Sequence, residues 1–326
     1  MIKVLVSGVG GDAGIGVILA LKASGLPLEI QTSNSRTDAA GLWLGEAAHK
    51  SPEVSSSAFL PWLLETIAAS KINVYIPTVD SEMSLIAENV KLIESATGCK
   101  ILVGEERVVR CCSDKRLTGE LLRVAGLPVL NTFSLTNLPP IDEIRRMNRF
   151  ESGWVLKPAK GKGSENVRFL DNLSELNSFG TSGELIIQEA APKDSREFTA
   201  TIFNNWRGNS FQVAFWRKLN DQGSTYFAET VQGDESEIIS EELLRLSKVL
   251  GIGNWNIQGK LWGDKVLVFE INPRFSGTTE IVALNFFNAP AMWISDCLEL
   301  NWSIPSLKQD KSRMSFVRYR RFERVY

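Results

Sequence analysis

The chain has 326 residues, 44% of them hydrophobic and 23% charged, with a net charge of −2. That length suits two or three structural units around a sizeable core, and the near balance of charge argues against nucleic acid or a membrane surface as partner. Four cysteines without a CxxC pair and a single histidine, His49, argue against a zinc site or a disulfide framework.

The chain opens on "MIKVLVSGVG", which reads as a strand and a glycine turn rather than a signal peptide, and no apolar stretch reaches membrane-spanning length. A cytoplasmic setting follows as the default. "GDAGIGVILALKASG" then predicts a helix stopping at Gly25, and "LEIQTSN" a second strand. His49 sits in "EAAHKSPE", a polar stretch that reads as a solvated loop. A Ser-His-Asp or Cys-His hydrolase would depend on it alone. "FLPWLLETIAASK" is helical and "NVYIPTVD" a strand. "SEMSLIAENVKLIESATG" is a helix with Ser81 as N-cap, and "CKILVG" another strand. Such alternation predicts an α/β unit over residues 1–112, with a mainly parallel sheet covered on both faces.

The glycine turn invites a dinucleotide reading, since Gly8, Gly10 and Gly14 follow a strand and open a helix. The G-x-G-x-x-G fingerprint fails, because Ala13 stands at its third glycine. No acidic residue ends the second strand to take a ribose hydroxyl, although Arg36 would suit a 2′-phosphate. The alternative is a turn whose glycines allow close packing of strand on helix.

After about residue 112 the pattern changes. "SDKRLTGELLRVAGLPVL" is a capped helix ending at Gly126. Longer, hairpin-like strands follow: "WVLKPA", "ENVRFLD", "ELIIQEA", "REFTATIFNN", "SFQVAFWRKLN", "YFAETVQ", "NWNIQGKLW" and "KVLVFEIN". The helix "SEELLRLSKVLG" interrupts them. This part is α+β with antiparallel sheets. The basic end, "SRMSFVRYRRFERVY", reads as a terminal strand with a solvated face.

Several residues in this second part could carry chemistry. Lys115 lies just inside the capped helix, and Lys157 ends the strand "WVLK". Gly161, Gly163 and Ser164 make a glycine turn that could bring backbone N–H groups and lysine charge to phosphates. An ordinary exposed hairpin fits the same residues. Gln188 and Glu189 end a strand, and Glu197 opens the next. In "VFEIN", alternation places Glu270 and Asn272 on one face and Phe269 and Ile271 on the other, against apolar packing. Two oxygen donors about 7 Å apart along a strand could share Mg²⁺ with phosphates. Gln258 joins them only if the hairpin has an odd-length turn or a bulge. A two-residue turn at Gly263-Asp264 without one would turn Gln258 away from Glu270. Arg274, just past Pro273, could bind a transferring group or a carboxylate bidentately.

Taken together, "SDK", "VLKPAKGKGS", "QEAAPKDSREFT", "NIQGK" and "EINPRFSG" resemble the ATP-grasp superfamily in order and spacing. The likeness is to the branch of carbamoyl phosphate synthase large chains and small carboxylate–amine ligases, and it covers residues 113–285. It implies a degenerate Rossmann-like first unit (1–112) before a two-lobed ATP-grasp fold, with a small lobe at 113–190 and a large lobe at 191–326. It implies ATP and Mg²⁺ (or Mn²⁺) as cofactors. Lys115 and Lys157 would contact phosphates, Gly161, Gly163 and Ser164 would form the phosphate loop, and Gln188 to Ala191, with Ala190 between, would meet adenine. Glu197 would bind ribose, Glu270 and Asn272 the metal with Gln258 nearby, and Arg274 an acyl phosphate. The loop is short and carries Lys162, and neither a duplicated second half nor a glutaminase-like part is present.

The implied activity is ATP-dependent ligation, in which a carboxylate becomes an acyl phosphate and an amine displaces the phosphate. A bicarbonate-using, carbamoyl-phosphate-type enzyme is the alternative in the same fold. An NADP-dependent oxidoreductase or a non-catalytic nucleotide-binding subunit is the alternative of another class. Arg217, Lys218, Glu229, Arg274 and Ser276 are candidates for contacting an anionic or zwitterionic substrate. The apolar "GLWLG" could serve a homodimer interface.

Overall fold

The alternating first third folds as its pattern predicts. In the computed structural model, which describes residues 1–161, 167–170, 172–179, 184–221, 223–302 and 313–318, five parallel strands form the first sheet. They are β1 (Ile2–Val6), β2 (Leu28–Asn34), β3 (Ala47–Lys50), β4 (Val74–Ile76) and β5 (Lys100–Ile101), in the order β3-β2-β1-β4-β5. Val4 and Val6 pack toward α1 (Asp12–Lys22), while Leu5 packs against α2 (Phe59–Ser70) and α3 (Asp80–Thr97). Both faces are therefore covered, as a parallel sheet requires. His49 lies on edge strand β3, half-buried, with Nε2 2.7 Å from Gln31 Oε1. Burial lowers its pKa, so it is not the solvated loop residue expected.

The glycine turn serves packing. A Cβ on Gly14 would stand 2.8 Å from Val9 Cα and 2.9 Å from Gly8 O. The Asn34 amide closes the end of β2 onto the turn, with Oδ1 accepting from Gly10 N–H at 3.1 Å. Helix α3 begins one residue before Ser81, at Asp80 after Val79. Ser81 therefore does not cap it.

Helices α4 (Glu106–Ser113) and α5 (Lys115–Val124) connect the first sheet to the rest. Asp114 caps α5, accepting from Arg116 N–H at 3.0 Å. A small antiparallel sheet follows, of β6 (Thr132–Ser134), β7 (Trp154–Pro158), β8 (Arg168–Leu170) and β9 (Leu185–Glu189), in the order β6-β9-β7-β8. It packs with α6 (Ile141–Arg146) around its own core of Leu135, Ile144, Trp154, Leu156 and Ile187.

The largest sheet is antiparallel, with the order β14-β13-β10-β11-β12-β15. Its strands are β10 (Arg196–Asn204), β11 (Ser210–Leu219), β12 (Thr225–Thr230), β13 (Gly253–Trp262), β14 (Lys265–Asn272) and the short β15 (Ser315–Val317). Helix α7 (Gly233–Leu250) starts seven residues before the expected "SEELL" and covers one face together with α4 and α5. Helices α8 (Thr279–Asn285) and α9 (Ala289–Cys297) are the last among the described residues. Phe203, Phe215, Phe275 and Trp293 join the first unit and the large sheet in one shared core. Among the described residues, no helix is long and apolar enough to cross a membrane.

Glu82, in the first turn of α3, is buried with 1% exposure. Ser7 Oγ donates to its Oε2 at 2.6 Å, Tyr75 OH bonds its Oε1, and Thr78 N–H reaches Ser7 Oγ at 3.3 Å. This latch ties the ends of β1 and β4 to α3. Burial pushes the Glu82 carboxyl up to about 8, so the folded state holds a proton that the unfolded chain releases at about pH 4.3. Stability from this group is complete below the unfolded pKa and declines as pH rises toward 8. Glu82→Gln should flatten that decline in urea melts across the interval. A slope equal to that of the wild type would disprove the protonated latch. Gly14→Ala should destabilise by about 1–3 kcal/mol in the same assay, because its Cβ meets backbone that has little room to yield.

Candidate active site

The active-site candidate is built around the β13–β14 hairpin. Trp262 pairs with Lys265, so the turn has two residues. Regular pairing from there would set Gln258 against Phe269. Instead the register shifts between Gly259↔Val268 and Gln258↔Glu270, leaving Phe269 as an extra residue. This β-bulge is the second of the two arrangements that permit Gln258 to face Glu270. It also changes one expectation. Val266, Val268 and Ile271 are in the core, and half-buried Phe269 turns toward the site beside Glu270. Strict alternation would have sent it the other way.

Two cavities meet at this hairpin. A cleft of about 470 Å³ lies between the small and large sheets. Lys115, Lys157, Gly161, Gln188 to Ala191 and Glu197 line it, with Val155, Phe169, Leu219 and Phe269 as apolar walls. A larger cavity of about 720 Å³ lies between the carboxyl ends of the first sheet's strands and the large sheet. Asn256, Asn272, Arg274 and Ser276 line it, facing Gly8, Gly10 to Asp12, Asn34 and Thr78 to Glu82. Arg217, Gln258 and Glu270 line both.

Local alternation explains the cleft wall. In β7, Trp154 and Leu156 enter the small sheet's core, so Val155 and Lys157 face the cleft. Lys157 is 7% exposed and donates to Gln188 Oε1 at 2.7 Å. Burial pushes its pKa down to about 8, further lowered by Lys115 and partly restored by Glu270. The cap of α5 sets Lys115 at the helix start, where its N–H donates to Ala159 O at 2.9 Å. Its Nζ donates to Gly161 O at 3.0 Å and lies 3.6 Å from Glu270 Oε1. Gly163 and Ser164 lie outside the described residues.

Glu189 contributes backbone rather than charge. Its carboxylate is buried and accepts from Arg149 and from the N–H groups of Asn131 and Arg149. The N–H groups of Glu189 and Ala190 go to Asn131 O and Gly153 O. Glu197 accepts from Arg217 Nε at 2.9 Å, and Arg217 Nη2 donates to Gln258 Oε1, also at 2.9 Å. On the hairpin, the pairs Gln258↔Glu270 and Asn256↔Asn272 gather four oxygen-bearing side chains. Among the described residues no group of three or more His, Cys, Asp or Glu side chains is gathered for a metal. The oxygen donors of Glu270 and Asn272 suit a hard cation that also takes ligand oxygens and water.

Arg274 lines the larger cavity and is gripped by Asp80, with Nε–Oδ1 and Nη2–Oδ2 both at 2.8 Å. Ser276 is buried, with Oγ 2.7 Å from Thr278 Oγ1. Two substrate candidates fall elsewhere. Glu229 pairs across the sheet with Trp216, whose ring is in the core under α7, so it faces away from Arg217. Its partners are Arg313 at 2.6 Å, Ser315 Oγ at 3.3 Å and Arg196 at 3.4 Å. Lys218, next to Arg217 in the strand, points to the opposite side and lies 5.3 Å from the Phe227 ring centre. Asp80, Asn256, Phe269 and Arg318 are site residues that sequence reasoning missed. Asn256 was available from alternation, two positions before Gln258.

A sequence model described as the ATP-grasp domain matches residues 112–278, just over half of the chain. No curated protein matches the chain in sequence. Solved structures share its architecture. N5-carboxyaminoimidazole synthetase from Staphylococcus aureus, complexed with ADP, gives a TM-score of 0.73 at 13% identity, over 96% of this chain and 81% of that one. N5-carboxyaminoimidazole ribonucleotide synthetase from Thermus thermophilus gives 0.72 at 15% identity, over 97% and 82%. Biotin carboxylase from Campylobacter jejuni, in a beta-gamma-ATP complex, gives 0.71 at 15% identity, over 94% and 72%. The parallel first sheet and the two antiparallel sheets are the fold of these enzymes, and the chain belongs to the ATP-grasp family.

Proposed function

We propose that this protein is an ATP-dependent carboxylate–amine ligase acting in the cytoplasm. The observation that carries the reading is the shared wall of Arg217, Gln258 and Glu270. A nucleotide-sized cleft with two lysines shares this wall with a second polar cavity. A γ-phosphate held at the wall would meet whatever the second cavity binds.

In this reading adenine lies among Val155, Phe169, Leu219 and Phe269, with the Ala191 backbone at its edge. Glu197 takes the ribose hydroxyls, and the phosphates extend toward Lys115 and Lys157. Glu270 and Asn272 would hold Mg²⁺ with phosphate oxygens. Gln258, whose Oε1 is engaged by Arg217, would orient rather than ligate. The cation would neutralise phosphate charge. A substrate carboxylate oxygen attacks the γ-phosphorus and ADP leaves. An amine nitrogen then attacks the acyl carbon, phosphate leaves, and the amine loses a proton. Arg274 supplies N–H groups to the acyl phosphate from a guanidinium already fixed by Asp80. The side chains here position groups and balance charge, and none becomes covalently attached.

The test is ADP release with Mg²⁺ over a panel of amino acids, small acids, amines and bicarbonate. Release that needs both an acid and an amine supports the reading. Bicarbonate-dependent release without an added acid would move the assignment to the bicarbonate alternative. Asn272→Ala should raise the Mg²⁺ needed for half-maximal rate by roughly 10- to 100-fold. ADP affinity should also depend on pH through Lys157. The side chain is cationic below about 8 and neutral above it, so affinity should fall as pH rises through that value, and Lys157→Met should abolish the trend. A flat wild-type profile in a tryptophan-fluorescence titration would remove Lys157 from the phosphate site.

A further inference from the structure

The larger cavity has a wall that the hairpin does not supply. Strand β15 adds to the edge of the large sheet, pairing Phe227↔Val317, Ala228↔Phe316 and Glu229↔Ser315. For three residues it is held unusually well. Arg313 and Ser315 bond Glu229, Met314 N–H donates to Thr230 Oγ1 at 3.0 Å, and Thr230 N–H donates to Met314 O at 2.9 Å. Phe316 packs edge-on against Phe215 at 6.0 Å. The next residue but one, Arg318, shares the face of Phe316 and is fixed by its N–H to Tyr226 O at 2.8 Å. Its guanidinium crosses to the first unit. Nη1 bonds Asp12, the first residue of α1, and Nη2 donates to Gly277 O at 2.6 Å. Arg318 thereby lines the larger cavity. The glycine of "PRFSG" makes room for it, since a Cβ on Gly277 would stand 3.0 Å from Nη2 and 3.2 Å from Asp12 Cβ.

Resting on the ligase reading, we propose that Arg318 is the specificity-determining residue of this cavity. It would bind a carboxylate that the substrate carries in addition to the group that reacts. Arg274 stands two residues after Asn272, at the reacting end, whereas Arg318 stands against α1. Arginine has five N–H donors, and among the described residues two side-chain N–H bonds are made by Arg318. The fork therefore keeps donors for a bidentate carboxylate. Among the described residues no lysine lines this cavity, and its cationic groups are the guanidinium groups of Arg36, Arg217, Arg274 and Arg318. Glu229 acquires a role in this arrangement, as the anchor that holds β15 and so delivers Arg318.

The test is titration calorimetry of succinate and L-glutamate, with neutral succinamide as control, into the full chain with and without ADP and Mg²⁺. At least one acid should bind the wild type, and succinamide should not. Arg318→Met should weaken the acid by about tenfold or more, as loss of a charge-assisted pair implies. Arg318→Lys, which keeps charge but loses the fork, should weaken it less, and it serves if the methionine variant fails to fold. Glu229→Gln should weaken it in the same direction by a smaller factor. ADP affinity should stay unchanged in all three. A lowered melting temperature with unchanged acid affinity would make Arg318 a structural tie and overturn the proposal. So would failure of both acids to bind the wild type. Failure of the ligase reading would show separately, as ADP that does not bind or is not released on substrate addition.

Discussion

The site depends on one extra residue in a hairpin. A two-residue turn followed by regular pairing would set Glu270 opposite Ile257, with its carboxylate on the face that holds Trp255, Ile257 and Leu261. An ionised carboxylate in that core would cost several kcal/mol. The bulge at Phe269 removes the conflict, because Val268 and Ile271 both remain in the core although three positions apart. The hydrophobic pattern of β14 thus demands the bulge. Its consequence is that Phe269 and Glu270 both reach the site, one as an apolar wall and one as a charge.

Around that hairpin, four cationic groups of the cavities lie beside acids from other elements. Lys115 lies beside Glu270, Arg217 beside Glu197, Arg274 beside Asp80 and Arg318 beside Asp12. These are partly buried pairs, and a buried pair is weak evidence for stability. Their value lies in geometry. A guanidinium fixed by a bidentate carboxylate has lost its rotamer freedom before any ligand arrives, so less is lost on binding. The arrangement also balances charge within the cavities.

Much of this was legible in the sequence. The alternation of the first third gave the parallel sheet, because both faces had to be apolar. "EINPRFSG" carried the hairpin's polar ledge, and Lys157 could be placed because Trp154 and Leu156 need the other face. The remainder was hidden for physical reasons. The bulge could be offered only as one of two options, since turn length and register are separate variables. Glu229 looked like a site acid because its strand is near the site, yet its facing is set by pairing with Trp216, which no local pattern shows. His49 was read as loop because β3 is four residues long and lies at an edge, where polar residues are normal. Asp80 and Arg318 had no signal, since each acts through a partner almost 200 or more residues away in the chain.

Those long-range partners show what the first unit contributes. It supplies no dinucleotide fingerprint, and its glycine turn is closed by Asn34. It does supply Asp80 and Asp12, the acids that fix two of the arginines in the larger cavity. Both lie at the starts of helices that follow strand ends, at positions 80 and 12. An acid there is favoured by the helix dipole, so it can hold an arginine without being a strained or unpaired charge itself. Helix starts, which favour negative charge, here carry carboxylates of the chain itself. The guanidinium groups that these carboxylates hold are thereby set at the cavity wall. The cavity between the first sheet and the hairpin is thus a surface shared by distant parts of the chain, and neither part could form it alone.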